Sequence, residues 1–89
     1  MSGVEIGPFN YAEAITKSDT VNIARYNKLG PNGLTDAVWV GGIGIVNAVF
    51  EDGSLAEFTC VAGTLLPIAI KRVQSATTTA TLMVALWRV

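Results

Sequence analysis

From residue 37 to residue 87, short alternating apolar runs follow one another, separated by glycine and turn residues, and this rhythm confines the chain to a small all-β fold. Residues 37–40 read as a strand with Val38 and Val40 on one face and Trp39 on the other, closed by Gly41 and Gly42. In residues 45–50, Val46, Ala48 and Phe50 alternate with Ile45, Asn47 and Val49. In residues 55–61, Ala56, Phe58 and Cys60 alternate with Leu55, Glu57, Thr59 and Val61. Between the two runs lies Glu51-Asp52-Gly53-Ser54. Asp-Gly in that position is a strong hairpin signal, because both residues tolerate the positive φ angles that match strand twist. After a loop at 62–67, residues 68–73 read as the next strand and residues 74–77 as a turn. Residues 78–87 follow as a last long strand with Leu82, Val84 and Leu86 on its core face. About six to eight short strands so arranged make an antiparallel β-sandwich or barrel.

The first third of the chain is less regular. Gly3, Gly7 and Pro8 argue for an extended N-terminal arm over residues 1–13, anchored by Phe9 and Tyr11, ahead of a single β domain at 14–89. Residues 11–15 read either as a helical turn or, from Ile15 and Thr16, as the opening of a first strand. Residues 25–35 carry Gly30-Pro31-Asn32-Gly33 and read as a turn or exposed loop with its tip outward.

Composition bears on how such a domain meets its surroundings. The chain is 51% hydrophobic and 15% charged, against about 25% charged residues in ordinary soluble domains. Either neutral Thr, Asn and Gly coat a monomer, or neighbouring chains cover much of the surface; the second reading is the stronger, since exposed apolar patches usually mark contact sites.

The same composition removes most enzyme chemistries. The 89 residues contain no histidine and a single cysteine, Cys60, whose Thr59 and Val61 neighbours place it on a strand as a packing residue. An intrachain disulfide and a cysteine-only metal site are excluded. A formal net charge of −1 with no basic stripe beyond Lys71-Arg72 argues against nucleic acid as a partner. The longest uncharged runs, 37–50 and 73–87 apart from their polar interruptions, are shorter than the about 20 apolar residues of a membrane span, so no membrane partner is expected. Nor does the N-terminus, with Glu5 and Pro8, have the pattern of an export signal.

Three features invite ligand readings that the residues do not sustain. Gly42-Ile43-Gly44 follows a strand as a dinucleotide-binding turn would, but Asn47 stands where the third glycine belongs and residues 45–50 have the period of a strand. Those glycines read as a strand-to-strand turn. Thr77, Thr78 and Thr79 are hydroxyls that a β-strand accepts without any ligand. Trp39 and Trp87 would suit a sugar-stacking platform, yet strand aromatics more often fill a core or an oligomer interface. No cofactor is called for.

The order of features resembles a known family. Ala14-Ile15-Thr16 with Ser18-Asp19-Thr20, Val38-Trp39-Val40-Gly41-Gly42 and Phe50-Glu51-Asp52-Gly53-Ser54 come first. Phe58-Thr59-Cys60-Val61-Ala62-Gly63-Thr64-Leu65-Leu66-Pro67-Ile68, Ile70-Lys71-Arg72-Val73 and the Thr-rich turn before Leu86-Trp87 complete the succession. It resembles the spike base proteins of tailed phages and gene transfer agents over residues 14–87. The resemblance implies a small, non-enzymatic β-sandwich virion protein, attached to the outer capsid surface and able to carry a spike or fibre protein. Residues 25–36 form a longer insert than the family pattern and leave open a spike-base, cement or decoration role. A tail or neck adaptor of the same particle and a carbohydrate-binding module are the alternatives. Expected partners are further copies of the chain in a homo-oligomer and the major capsid protein, with Phe9, Tyr11 and Tyr26 as interface anchors because aromatic residues in arms and loops are enriched at interfaces.

Overall fold

The computed structural model describes residues 8–89, as an all-β sandwich. Its elements are β1 (Tyr11–Ala14), a helix α1 (Ala24–Leu29) continued by a 3-10 turn (Gly30–Gly33), β2 (Ala37–Gly42), β3 (Gly44–Phe50), β4 (Leu55–Cys60), β5 (Thr64–Leu66), β6 (Ile70–Val73) and β7 (Thr81–Trp87). A four-stranded sheet has the order β1-β7-β2-β5, and a three-stranded sheet the order β4-β3-β6; every pair is antiparallel. The inner faces meet in one core, where Val38, Val40 and Met83 of the first sheet pack against Val46, Ala48, Cys60, Ile70 and Val73 of the second. A smaller cluster of Ile23, Ala85 and Trp87 lies where α1 adjoins the sheet.

Two glycines make this topology possible. The β3–β4 hairpin pairs Val46 with Phe58 and Ala48 with Ala56, as the alternation requires. Its turn is closed by Gly53 N–H to Phe50 O at 3.0 Å and Phe50 N–H to Ser54 O at 2.9 Å. Only Gly53 (φ +88°) has a positive φ there, so the connection is a type I turn ending in a glycine bulge rather than a turn with two positive residues. Gly44 (φ +152°) stands where the chain crosses from one sheet to the other, and a Cβ there would lie 2.5 Å from the Ala80 nitrogen.

Several expectations need correction. On β7 the inward residues are Met83, Ala85 and Trp87, not Leu82, Val84 and Leu86, and the strand begins at Thr81 rather than at residue 78. Both phases of that run are apolar, so alternation did not distinguish them, and Leu82 (φ +55°) breaks the regular extended backbone. Residues 64–66, expected as loop, form β5 and pair with Val38, Trp39 and Val40; three residues before Pro67 are too few to display a period. The strand expected at 68–73 starts at Ile70, with Ile70 and Val73 both buried, because a register shift beside Val49 and Phe50 breaks the alternation.

The insert differs most. Residues 24–29 are helical, and Gly33 at the supposed outward tip is buried while Pro31 and Asn32 remain exposed. The cause is Trp87: its buried indole N–H needs an acceptor and donates to Gly33 O at 3.1 Å and Leu34 O at 3.0 Å, drawing the insert over the sheet. Thr35 fastens the exit by donating to Ile68 O at 2.7 Å and accepting from Ile70 N–H at 3.1 Å. Of the arm expected at 1–13, residues 1–7 lie outside the described residues, and Tyr11, Ala12 and Glu13 belong to β1.

Candidate functional site

The outer faces of the two sheets are chemically unlike. Because Val38 and Val40 point into the core, Trp39 between them points out, 41% exposed. The register sets Ala14, Val84, Trp39 and Leu65 abreast across all four strands of its sheet. Ala12 and Leu86 stand side by side in the next row. On the other side of Trp39, Leu82 is 75% exposed and lies against Gly41, whose Cβ would meet the Leu82 Cβ at 3.0 Å. Apart from the indole N–H of Trp39, none of these side chains carries a hydrogen-bonding group, and none is charged.

The outer face of the three-stranded sheet is mixed, with Asn47, Glu57, Thr59 and Arg72 beside Ile45, Val49 and Leu55, and the chain itself covers part of it. The Asn47 amide donates to Ala76 O at 3.3 Å and Thr77 Oγ1 at 3.0 Å, and the Thr77 hydroxyl donates to Glu57 at 3.2 Å. Arg72 donates to Asn22 Oδ1 at 2.7 Å and to Gln74 Oε1 at 2.9 Å. These hydrogen bonds hold a local loop in place, although the buried Asn47 Oδ1 accepts none among the described residues. Among the described residues the apolar face has no such cover, so β7 is a strand with apolar residues on both sides and a core on only one. Strands of that pattern are ordinarily buried on both faces.

The residues singled out from sequence fall in other places. Phe9 is half-buried just before β1. Tyr11 stands edge-on to Trp87, with centroids 5.4 Å apart, and the Arg25 guanidinium lies 4.5 Å from the Tyr11 ring centre and 5.5 Å from that of Trp87. Tyr26 reaches the other sheet, where its hydroxyl donates to the Glu51 carboxylate and Lys71 Nζ lies 5.9 Å from its ring centre. That hydrogen bond, followed by desolvation and the Glu51 charge, raises the Tyr26 pKa. The two tyrosines are thus brought to separate sites, and each is engaged within the fold. The apolar sheet face was not singled out; its signal in the sequence was the unbroken apolar run from Leu82 to Trp87.

Among the described residues no group of three metal-ligating side chains comes together, and no helix is long and apolar enough to cross a membrane. Cys60 is buried, and desolvation pushes its thiol pKa up, away from the nucleophilic thiolate.

Over 89% of its length the chain is similar to 83% of a chain in the structure described as "Capsid of native GTA particle computed with C5 symmetry", with 30% sequence identity and a TM-score of 0.75. This chain belongs to the same family as that capsid-particle chain. No family model matches the chain, and no curated protein does. The gene transfer agent part of the resemblance read from the sequence therefore has a structural counterpart, and the β-sandwich it implied is the observed fold.

Proposed function

We propose that the protein is a non-enzymatic structural subunit of a phage-like particle, attached to the outer capsid surface as a spike-base, cement or decoration subunit. The observation that carries the proposal is an apolar sheet face, without charge, on a chain whose relative belongs to a capsid particle. The occupant of that face is the capsid protein of the shell. A face built from Trp39, Leu65, Leu82, Val84 and Leu86 has no charge to match, so it selects an apolar partner surface. Covering it contributes about 25 cal/mol for each Å² of apolar area removed from water. Contacts of this size are modest singly and become effective when repeated by symmetry over a shell. Docking by the four-stranded sheet leaves the outer face of the other sheet, where Leu55, Glu57 and Thr59 are exposed, turned outward toward a spike or fibre protein. Phe9, Tyr11 and Tyr26 are proposed as contacts with neighbouring subunits away from the docked face, Tyr11 on the side of Trp87 and Tyr26 beside Glu51 and Lys71.

A sugar-binding role finds no support here. Trp87 is buried, and Trp39 is flanked by Val84, Leu65 and Leu82 rather than by polar groups that would orient hydroxyls.

Leu82→Asp tests docking without disturbing the fold. Leu82 is exposed and has φ +55°, a conformation Asp tolerates better than Leu. The variant should melt no lower than the wild type, and its occupancy on particles lacking the protein should fall at least tenfold. Undiminished occupancy would overturn docking through this face.

A further inference from the structure

Leu82 has a backbone conformation that its strand register does not require. Its φ of +55° lies in the left-handed region, where a leucine is a conformational outlier. An inserted residue is a common reason for such a conformation within a strand. None is inserted here: β2 and β7 pair Val40 with Met83 and Gly42 with Thr81, so the count is the same on both sides of Leu82. Strain of this kind persists where the surroundings maintain it, and it gathers at sites that bind.

The strand opposite is cut back around this residue. A Cβ at Gly41 would lie 3.0 Å from both the Cβ and the carbonyl oxygen of Leu82, and one at Gly42 would overlap the Thr81 hydroxyl. Two glycines in succession, which otherwise weaken a strand, clear the space into which this part of β7 leans. On its other flank β1 ends at Ala14, opposite Val84 and short of Leu82, and by Ser18 the chain has crossed to the second sheet, donating to Val73 O at 2.9 Å. Leu82 thus rises between a glycine and the end of a strand, and is 75% exposed. Its apolar neighbours lie lower. Val84 is flanked by Ala14 and Trp39 and is half-buried. The Trp39 indole reaches from Gly41 to Gly63, 3.6 and 3.8 Å from where their Cβ atoms would stand, so the ring lies along the sheet.

We propose that Leu82 is a preformed knob that enters a leucine-sized apolar recess on a capsid subunit, and that this recess fixes the position of docking. The proposal rests on the reading that the four-stranded sheet meets the shell, and it names what the partner surface must offer. Against a flat partner, a side chain standing clear of its neighbours would hold the row through Val84 and Trp39 out of contact. A recess under Leu82 lets knob and row close together, in the way that anchor residues of interfaces fill pockets on the partner. Apolar area alone would let the sheet slide, whereas a knob in a hole permits one position. Because the backbone already holds the knob out, less freedom is lost on docking.

The test adds purified full-length variants to particles lacking the protein, at a subsaturating concentration, and records melting temperatures alongside. Leu82→Gly removes strain and knob together; it should melt about 4 °C or more above the wild type and lose about tenfold or more in occupancy. Leu82→Trp enlarges the apolar area beyond what the recess admits, so it should melt as the wild type does and lose occupancy to the same degree. Leu82→Met, close to leucine in volume, should retain occupancy. A Gly variant that melts no higher would overturn the preformed knob. Undiminished occupancy of Leu82→Trp would overturn the recess while leaving docking through the sheet intact, and undiminished occupancy of Leu82→Asp would overturn both. The same ratios are expected when residues 1–7 are removed. If Leu82→Asp lowered the melting temperature of the full chain but not of the shortened one, those residues rather than a capsid subunit would occupy Leu82, and the proposal would fall.

Discussion

Trp87 and Trp39 lie on neighbouring strands and serve opposite ends. Trp87 is 2% exposed, and the insert closes over it because its N–H needs the Gly33 and Leu34 carbonyls. Trp87→Phe removes that donor and part of the ring, leaving two acceptors facing an apolar ring, and should destabilise the fold by about 2 kcal/mol in denaturant titrations. Trp39→Ala takes away a half-exposed side chain and should cost well under half as much. Cys60 gives a pH-dependent counterpart. Burial raises its folded pKa above the unfolded value, so its contribution to stability is complete below about pH 8.5 and is lost as pH rises through the folded pKa. Native Cys60 should accordingly react with iodoacetamide only at the rate at which the domain opens; alkylation as fast as that of a free thiol would contradict its burial.

At the scale of elements, glycine substitutions separate backbone strain from crowding. At Gly53 a Cβ would meet nothing within 4 Å, so Gly53→Ala is opposed by the φ of +88° alone and should cost about 1 kcal/mol. At Gly44 the same change adds a clash with the Ala80 backbone and should cost several times more, to the point of preventing folding. Equal melting temperatures for the two variants would refute this account of the sheet crossing. The hairpin was legible in the sequence because Asp52-Gly53 and the alternation on either side agree. The core face of β7 was not, since Leu82, Val84 and Leu86 alternate with the equally apolar Met83, Ala85 and Trp87. Nor was α1: none of its residues is buried, so it has no apolar stripe to read, and its position depends on the indole of Trp87 beyond it in sequence. The apolar sheet face showed in the sequence only as the unbroken apolar run from Leu82 to Trp87, because which residues share a face depends on the register of β1, β7, β2 and β5.

For the whole molecule, the consequence is a subunit whose two sheets present dissimilar outer faces. In the proposed reading the apolar side meets the shell and the other side is turned to solvent or to a spike. Such a division would let 89 residues with 15% charge cover their apolar surface on assembly. It also predicts that the free chain self-associates or precipitates as ionic strength rises, because salt screens the few charges that keep apolar faces apart; light scattering across a salt series reads this. The central claim is tested most directly by an electron cryomicroscopy reconstruction of particles carrying the chain. The account predicts the sandwich on the outside of the shell with Trp39 and Leu82 against capsid subunits. A reconstruction with that face open to solvent, or with the chain at the tail rather than the shell, would contradict it.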